Sequence, residues 1–360
     1  MWTTYLIMSG ILISSSIFPY FPSRHWVFRV CSFGKLQIAF LILLTLGSGF
    51  LFVNPPGIFW FVQGALLVTL IDHLATLLKY TPAYPRKKVN PTRNASEKIT
   101  LISANVYQFN KDFKRFISLI RNHKPDIFLT MESNKDWEQA LRELESDYPY
   151  NHKVTLENTY GIHLYSRIAI EKSKTHFFVA DDLPSIEAHM KTCDGYRFVF
   201  FGLHPPPPSP TEEETSKERD GDLLSAAKRI KELRKTTMVV GDFNNVAWSK
   251  SSNLFRKTSE LIDPRVGYGF VSTFHAKYKL LRFPIDLMFH SKEIFIQQLK
   301  TLHNFGSDHL PVYCEFYIDR GNNSQKEEVE KAFMEEKEEA EKIIVEGKKE
   351  EGDRDVVAKK

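Results

Sequence analysis

Acidic residues are almost absent from the front of this chain: residues 1–96 carry one, Asp72, against eight Lys or Arg. Cysteine is also scarce. Cys31, Cys193 and Cys314 are odd in number, far apart and without metal-ligand spacing, which argues against a cysteine zinc site. They read as buried or lipid-facing small apolar residues. No Lys or Arg precedes the apolar run at residues 2–21, so a cleavable signal peptide is disfavoured and a retained anchor expected.

An excess of positive charge is missing from the centre as well. Residues 97–325 carry 31 basic and 30 acidic side chains, and residues 326–360 carry nine and 13. The formal net charge of +4 therefore divides into +7, +1 and −4 along the chain. Its basicity belongs to the front rather than to an extended phosphate-neutralising surface, and a nucleic-acid site would have to be a local basic groove.

What the front contains is three apolar runs, at residues 2–21, 36–53 and 58–78. Each approaches the roughly 20 helical residues that span a bilayer. The first two are uncharged, and the third carries Asp72 and His73 near its end, read as a polar pair able to reach the interface. Arg24, Arg29 and Lys35 lie between the first and second runs, and Lys79, Arg86, Lys87, Lys88 and Arg93 follow the third. The Asn54-Pro55-Pro56-Gly57 hairpin has no basic residue. The positive-inside rule then places the amino terminus outside and everything after Lys79 in the cytoplasm. The expected organisation is an anchor of three transmembrane helices over residues 1–80, a proline-broken linker over 81–96, a catalytic domain over 97–320 and a charged tail over 321–360.

From Lys98 short apolar runs alternate with amphipathic stretches, the pattern of a layered α/β domain. Strands are expected at 99–106, 126–131, 160–165, 168–179, 186–190, 197–203, 237–240, 285–290 and 312–318. Helices are expected around Phe113, Phe116, Ile117 and Ile120, at 137–144, and along Leu223, Leu224, Ala227, Ile230 and Leu233. The tail from Gln325 is expected to be a solvated helix grading into disorder after Gly347, with a partner-binding coiled coil as the sharper alternative. No particular protein partner is implied.

Polar residues recur at the expected strand ends: Asn105, Glu132, His204, Asp242, Asn244, Asp286 and the Asp308-His309 pair. Any one of them could be a turn residue; together they suggest chemistry. Glu132 and Asp308 are hard oxygen ligands suited to Mg²⁺ or Mn²⁺. His309 needs an acidic partner to hold its ring, and Asp286 is the available candidate. Asp242 could orient or deprotonate a water nucleophile, with Asn105, Asn244 and His204 as donors to phosphate oxygens.

In order along the chain, Asn105, Met131-Glu132, Gly202-Leu203-His204, Gly241-Asp242-Phe243-Asn244, Pro284-Ile285-Asp286 and Gly306-Ser307-Asp308-His309 resemble the motifs of the endonuclease/exonuclease/phosphatase superfamily. The resemblance covers about residues 97–320. Together with the multispan front, Tyr80-Thr81-Pro82, residues 160–166 and His204-Pro205-Pro206-Pro207-Pro208 resemble a bacterial membrane-anchored branch. This resemblance implies a DNase I-like four-layer α/β sandwich with two facing mixed β-sheets, preceded by transmembrane helices. It also implies one Mg²⁺ held by Glu132 with Asp308 and Asn105 nearby, an Asp286–His309 pair, Asp242 and Asn244 around the nucleophile, and His204 on the phosphate.

The expected function is metal-assisted hydrolysis of a lipid head group or other small phosphoester by an integral protein of the bacterial inner membrane, its catalytic domain cytoplasmic. A Mg²⁺-dependent nuclease is the alternative, although the long insertions that grip a duplex are missing, and a noncatalytic membrane scaffold is a third reading. Substrate choice is expected in the loops at 181–185 and 211–220.

Overall fold

The computed structural model describes residues 1–52, 56–86, 91–210, 212–350, 352 and 354–358. Asn54 and Pro55 of the expected hairpin, and Lys87 and Lys88 of the linker, lie outside the described residues.

Eleven strands and nine α-helices are described. The strands are β1 Ile99–Asn105, β2 Ile127–Met131, β3 Tyr150–Val154, β4 Ile162–Ser166, β5 Ala169–Phe177, β6 Pro184–Lys191, β7 Arg197–Leu203, β8 Thr237–Asp242, β9 Asp286–His290, β10 Ile294–Thr301 and β11 Val312–Ile318. The helices are α1 Trp2–Ile17, α2 Trp26–Val30, α3 Lys35–Gly49, α4 Ile58–Leu78, α5 Phe113–His123, α6 Lys135–Leu141, α7 Lys217–Leu233, α8 Lys250–Ser259 and α9 Met334–Gly347. One sheet runs β10-β11-β1-β2-β4-β3 and the other β5-β6-β7-β8-β9.

Both sheets are mixed, and their inner faces meet. Alternation within a strand assigns each side chain to a layer. In β1, Leu101 enters the inter-sheet core with Leu129, Leu164, Phe200 and Val240, whereas Ile102 and Ala104 face the outer layer that holds Phe116 and Trp137. In β7, Phe198 and Phe200 point inward, while Val199, Phe201 and Leu203 pack beneath α7 and α8 with Leu223, Leu224 and Phe255. Helix, sheet, sheet and helix make the expected four-layer α/β sandwich.

The connections decide where chemistry can occur. β1 is parallel to β2 across α5, and β7 is parallel to β8 across α7, so the carboxyl ends of all four strands reach one edge. β9 is antiparallel to β8 with Asp286 opposite Asp242, and β11 is antiparallel to β1 with Val312 opposite Ser103. Their beginnings therefore arrive at the same edge. Gly241 permits the close approach of β7 and β8 there, because a Cβ on it would stand 1.8 Å from the Leu203 carbonyl oxygen.

Two strands have no counterpart in the sequence pattern. β3 is half-buried with no apolar alternation, and β10 carries a bulge between Ile296 and Gln298. The tail also differs from a solvated helix: Ala340, Ile343 and Ile344 of α9 are buried against Leu223, Ala227 and Leu254. Ala340, Ile343 and Ile344 share one face, and that face is taken by the chain itself.

At the front, α1, α3 and α4 form a bundle around Leu12, Ile42, Leu66 and Leu70. Among the described residues, only α4, with 21 residues, is long and apolar enough to cross a membrane. α1 stops at 16 residues and α3 at 15, shorter than the expected runs. Pro19 ends the first in a 3-10 turn, and the second ends at Gly49. Asp72 accepts hydrogen bonds from Tyr20 (2.7 Å) and Lys35 (3.0 Å), the polar helix-end cluster expected of it.

Candidate active site

The converging strand ends bring all eight expected residues to one edge. Asn105 leaves β1 and places its side-chain Nδ2 between two carboxylates, donating to Glu132 Oε1 at 2.8 Å and to Asp242 Oδ2 at 3.1 Å. Its Oδ1 accepts from Tyr107 N at 2.9 Å, so the amide faces the site as a donor. That arrangement sets Asn105 against Glu132, beside the carboxylates expected to hold a cation. Glu132 follows β2 with φ of 60°, and Gln108 N donates to its Oε2 at 3.0 Å.

His309 is clamped. Its Nδ1 lies 2.8 Å from Asp286 Oδ2 and its Nε2 lies 3.5 Å from Asp242 Oδ2. The preceding turn is fixed by Ser307, whose Oγ donates to Asn105 O at 2.8 Å and accepts from His309 N at 3.0 Å. Gly306 makes the turn possible at φ of 114°, with Asn110 where a Cβ would project. Asn244, at φ of 48°, donates its backbone N–H to Asp242 Oδ1 (2.9 Å) and its side-chain Nδ2 to Pro205 O (3.0 Å). His204 lies against Tyr160 in a tilted arrangement, with ring centroids 5.3 Å apart.

Burial sets the protonation states. It works against a charged His309, but the carboxylates of Asp286 and Asp242 outweigh it and hold the imidazolium up to about 10. Burial lowers His204 to about 3, and the positive His309 adds to that, so His204 is neutral. Burial raises Asp242 to about 7; His309 opposes the rise and Asp286 assists it. Glu132 is likewise raised to about 7 by burial, partly relieved by Gln108 N–H and Asn105 and reinforced by Asp308.

Asp242, Asp286 and His309 bring possible ligand atoms within 4.8 Å of one another. A cation does not suit that trio, because both ring nitrogens of His309 face carboxylates and the ring carries the positive charge itself. Glu132 and Asp308 suit it better: they are half-buried, mutually repelling carboxylates, held by amide donors on Glu132 and by the Ser307 hydroxyl at 3.4 Å on Asp308. A hard divalent ion would relieve that repulsion. Two buried atoms at the edge, His204 Nδ1 and Asp286 Oδ1, have no hydrogen-bond partner among the described residues. The cavity of about 790 Å³ lined by Asp72, Tyr80, Trp248 and Asp263 lies away from this edge, so the chemistry of the side chains identifies the site.

Residues 102–309 match the Endonuclease/Exonuclease/phosphatase family. The chain belongs to that family. The match begins in β1 and ends on His309; with this site, the chain is a hydrolase of phosphoester bonds. Among solved structures, it resembles TDP2 of D. rerio complexed with a single-strand DNA product, at 17% identity and a TM-score of 0.52, covering 61% of this chain and 99% of that one. It also resembles the human Nocturnin catalytic domain with a bound sulfate anion, at 18% identity and a TM-score of 0.50, covering 63% and 96%. A mannosyl-6-phosphatase of Bacteroides thetaiotaomicron has 20% identity and a TM-score of 0.50, covering 61% and 99%. At these identities the likeness is one of fold. No curated protein matches the chain in sequence.

Several supporting residues of this endonuclease/exonuclease/phosphatase site had no signal of their own. Gln108 acts through its backbone N–H, and Arg219, buried, donates to Asn244 O at 3.0 Å. Ser307 lies inside a recognisable motif, where a small hydroxyl between Gly and Asp was the available clue. The two loops expected to govern substrate choice are joined by the tail: Arg354 pairs with Asp182 at 2.8 Å, with Glu213 at 2.6 Å and with Glu218.

Proposed function

We propose that this protein is a membrane-anchored, divalent-metal-dependent phosphoesterase that hydrolyses a lipid head group or other small phosphoester by attack of water. The observation that carries the reading is the buried ring of His309 set between the carboxylates of Asp286 and Asp242, linked through Asn105 to Glu132.

Glu132 and Asp308, with Asn105 beside them, would hold Mg²⁺ or Mn²⁺. When bound, the ion neutralises charge on the phosphate and on the departing oxygen. Asp242 accepts the proton of the attacking water, a task suited to a carboxylate raised to about 7. As the water oxygen bonds to phosphorus, the bond to the leaving oxygen breaks. His309 Nε2, too far from Asp242 Oδ2 for a hydrogen bond at 3.5 Å, donates to the charge developing on the phosphoryl group. Asp286 holds the ring in place, while His204 through its unpaired Nδ1 and Asn244 through its remaining amide N–H complete the cradle.

Anchoring rests on the outer surface of the bundle. α4 has the length for a span, and Ile11, Phe40, Leu44, Phe61, Val68 and Ile71 are all more than half exposed. An apolar belt of that kind is the mark of a lipid-facing surface.

The test uses the full-length protein and a water-soluble chromogenic phosphodiester. Hydrolysis is expected to require Mg²⁺ or Mn²⁺, to cease on chelation, and to fall about a thousandfold in His309→Ala. Turnover that survives both treatments would overturn the assignment.

A further inference from the structure

A finger at residues 273–283 connects the site to the bundle. Its root is a two-stranded turn in which Thr273 N and Phe274 N donate to Phe283 O at 3.0 and 3.1 Å. That root also grips the site. The Phe274 ring lies 4.9 Å from His309, Leu310 N donates to Thr273 O at 3.1 Å, and Ala276 N donates to Asp308 O at 2.6 Å.

The tip has a different character. Leu280 is 88% exposed, Leu281 56% and Tyr278 51%, with exposed Lys277 and Lys279 on either side of Tyr278. Exposed leucines are unfavourable in water and are what an interfacial segment presents to acyl chains. Alternating lysines extend past such residues toward phosphate head groups.

The tip is tied to the apolar bundle. Gln37, in the first turn of α3, donates from Nε2 to Leu280 O at 2.8 Å, and Phe33 packs edge-on against Phe283 at 6.1 Å. The tip therefore stands level with the bundle end where Lys35, Tyr20 and Asp72 form their polar cluster.

We propose that this finger is a membrane-contacting element: Leu280 and Leu281 enter the boundary between head groups and acyl chains, Lys277 and Lys279 pair with anionic head groups, and the substrate is a lipid phosphoester taken from that surface. This rests on the phosphoesterase reading above. Basic residues alone would suit a nucleic-acid backbone equally, but two exposed leucines beside a helical bundle with an apolar exterior select a bilayer.

The experiment uses full-length protein in vesicles of mixed phosphatidylcholine and phosphatidylglycerol. Leu280→Asp combined with Leu281→Asp is expected to lower hydrolysis of the vesicle lipids about tenfold or more, and to leave turnover of the water-soluble phosphodiester unchanged. Equal loss on both substrates, or undiminished lipid hydrolysis, would overturn the proposal. A second measurement is independent of activity: Leu280→Trp should add quenching by brominated acyl chains beyond that of the five native tryptophans, and absence of added quenching also overturns it. If the unsubstituted protein cleaves neither substrate, the phosphoesterase reading and the lipid substrate fall, while quenching still decides where the tip lies.

Discussion

At the residue scale, the site depends on one positive charge held between buried carboxylates. His309 remains charged because Asp286 and Asp242 overcome the effect of its burial. Asp286→Asn preserves the shape and removes the closest countercharge, so the imidazolium should lose its proton at a pH below about 10. Turnover is expected to fall by about a hundredfold or more, with KM changed less than kcat, because the lost interaction stabilises the transition state. NMR titration of the His309 ring alongside steady-state kinetics checks both parts; an unshifted ring with normal kcat would mean that Asp286 is only structural. The residues of this corner were legible in the sequence because short motifs carry them at strand ends. Their neighbours were not. Gln108 contributes through its backbone N–H, a contact that any sequence with the same chain path could make, and the Arg219 guanidinium reaches a backbone carbonyl from a helix position that no motif marks.

At the scale of elements, the strands that build the site edge could be read from apolar runs because both of their faces are buried. β1, β2, β7, β8 and β9 lie almost wholly inside. β3 and α8 give no signal in the sequence because they show no apolar run, and the α9 segment has a solvated pattern because glutamates and lysines outnumber its apolar residues. Yet Ile343 is 2% exposed. Ile343→Ala should destabilise the domain by about 2–4 kcal/mol, visible as a lowered Tm; an unchanged Tm would return α9 to the role of a detachable tail. A second stabilising cluster lies on β6. Glu187 holds His176 at 2.8 Å, His189 at 2.7 Å and Arg229 at 2.8 Å. Its burial would raise the carboxyl, but bonds from Arg229, His189 and His176 outweigh that and bring it down to about 2. A depressed carboxylate contributes stability that is fully present above its ordinary pKa of 4.5 and disappears as pH falls toward 2. Glu187→Gln should therefore cost on the order of 3 kcal/mol near neutral pH, and the gap from the unsubstituted protein should close across that acidic window in denaturant titrations.

At the scale of the whole molecule, the direction of the chain through the bundle is tied to the position of the catalytic domain. The carboxyl ends of α1 and α4 and the amino end of α3 lie at the domain end. Trp26 N donates to Glu214 O at 2.9 Å, and Trp248 Nε1 donates to Ser32 O at 2.7 Å. Arg24 pairs with Asp220 at 3.2 Å, and Asp220 pairs in turn with Arg219, which holds Asn244. Of the basic residues at this end, Arg24, Arg29, Lys35, Lys79 and Arg86, some fasten the domain, and under the membrane-anchored function proposed above the positive-inside rule would put this end in the cytoplasm. If α1, α3 and α4 cross a bilayer, the domain must share that side with them. Protease added to sealed inverted vesicles is therefore expected to cut the exposed loop around Glu214, while right-side-out vesicles protect it until detergent is added. Alkaline extraction should leave the chain in the membrane fraction. Cleavage only in right-side-out vesicles would reverse the orientation, and release by alkali would show that the bundle rests on the membrane without crossing it.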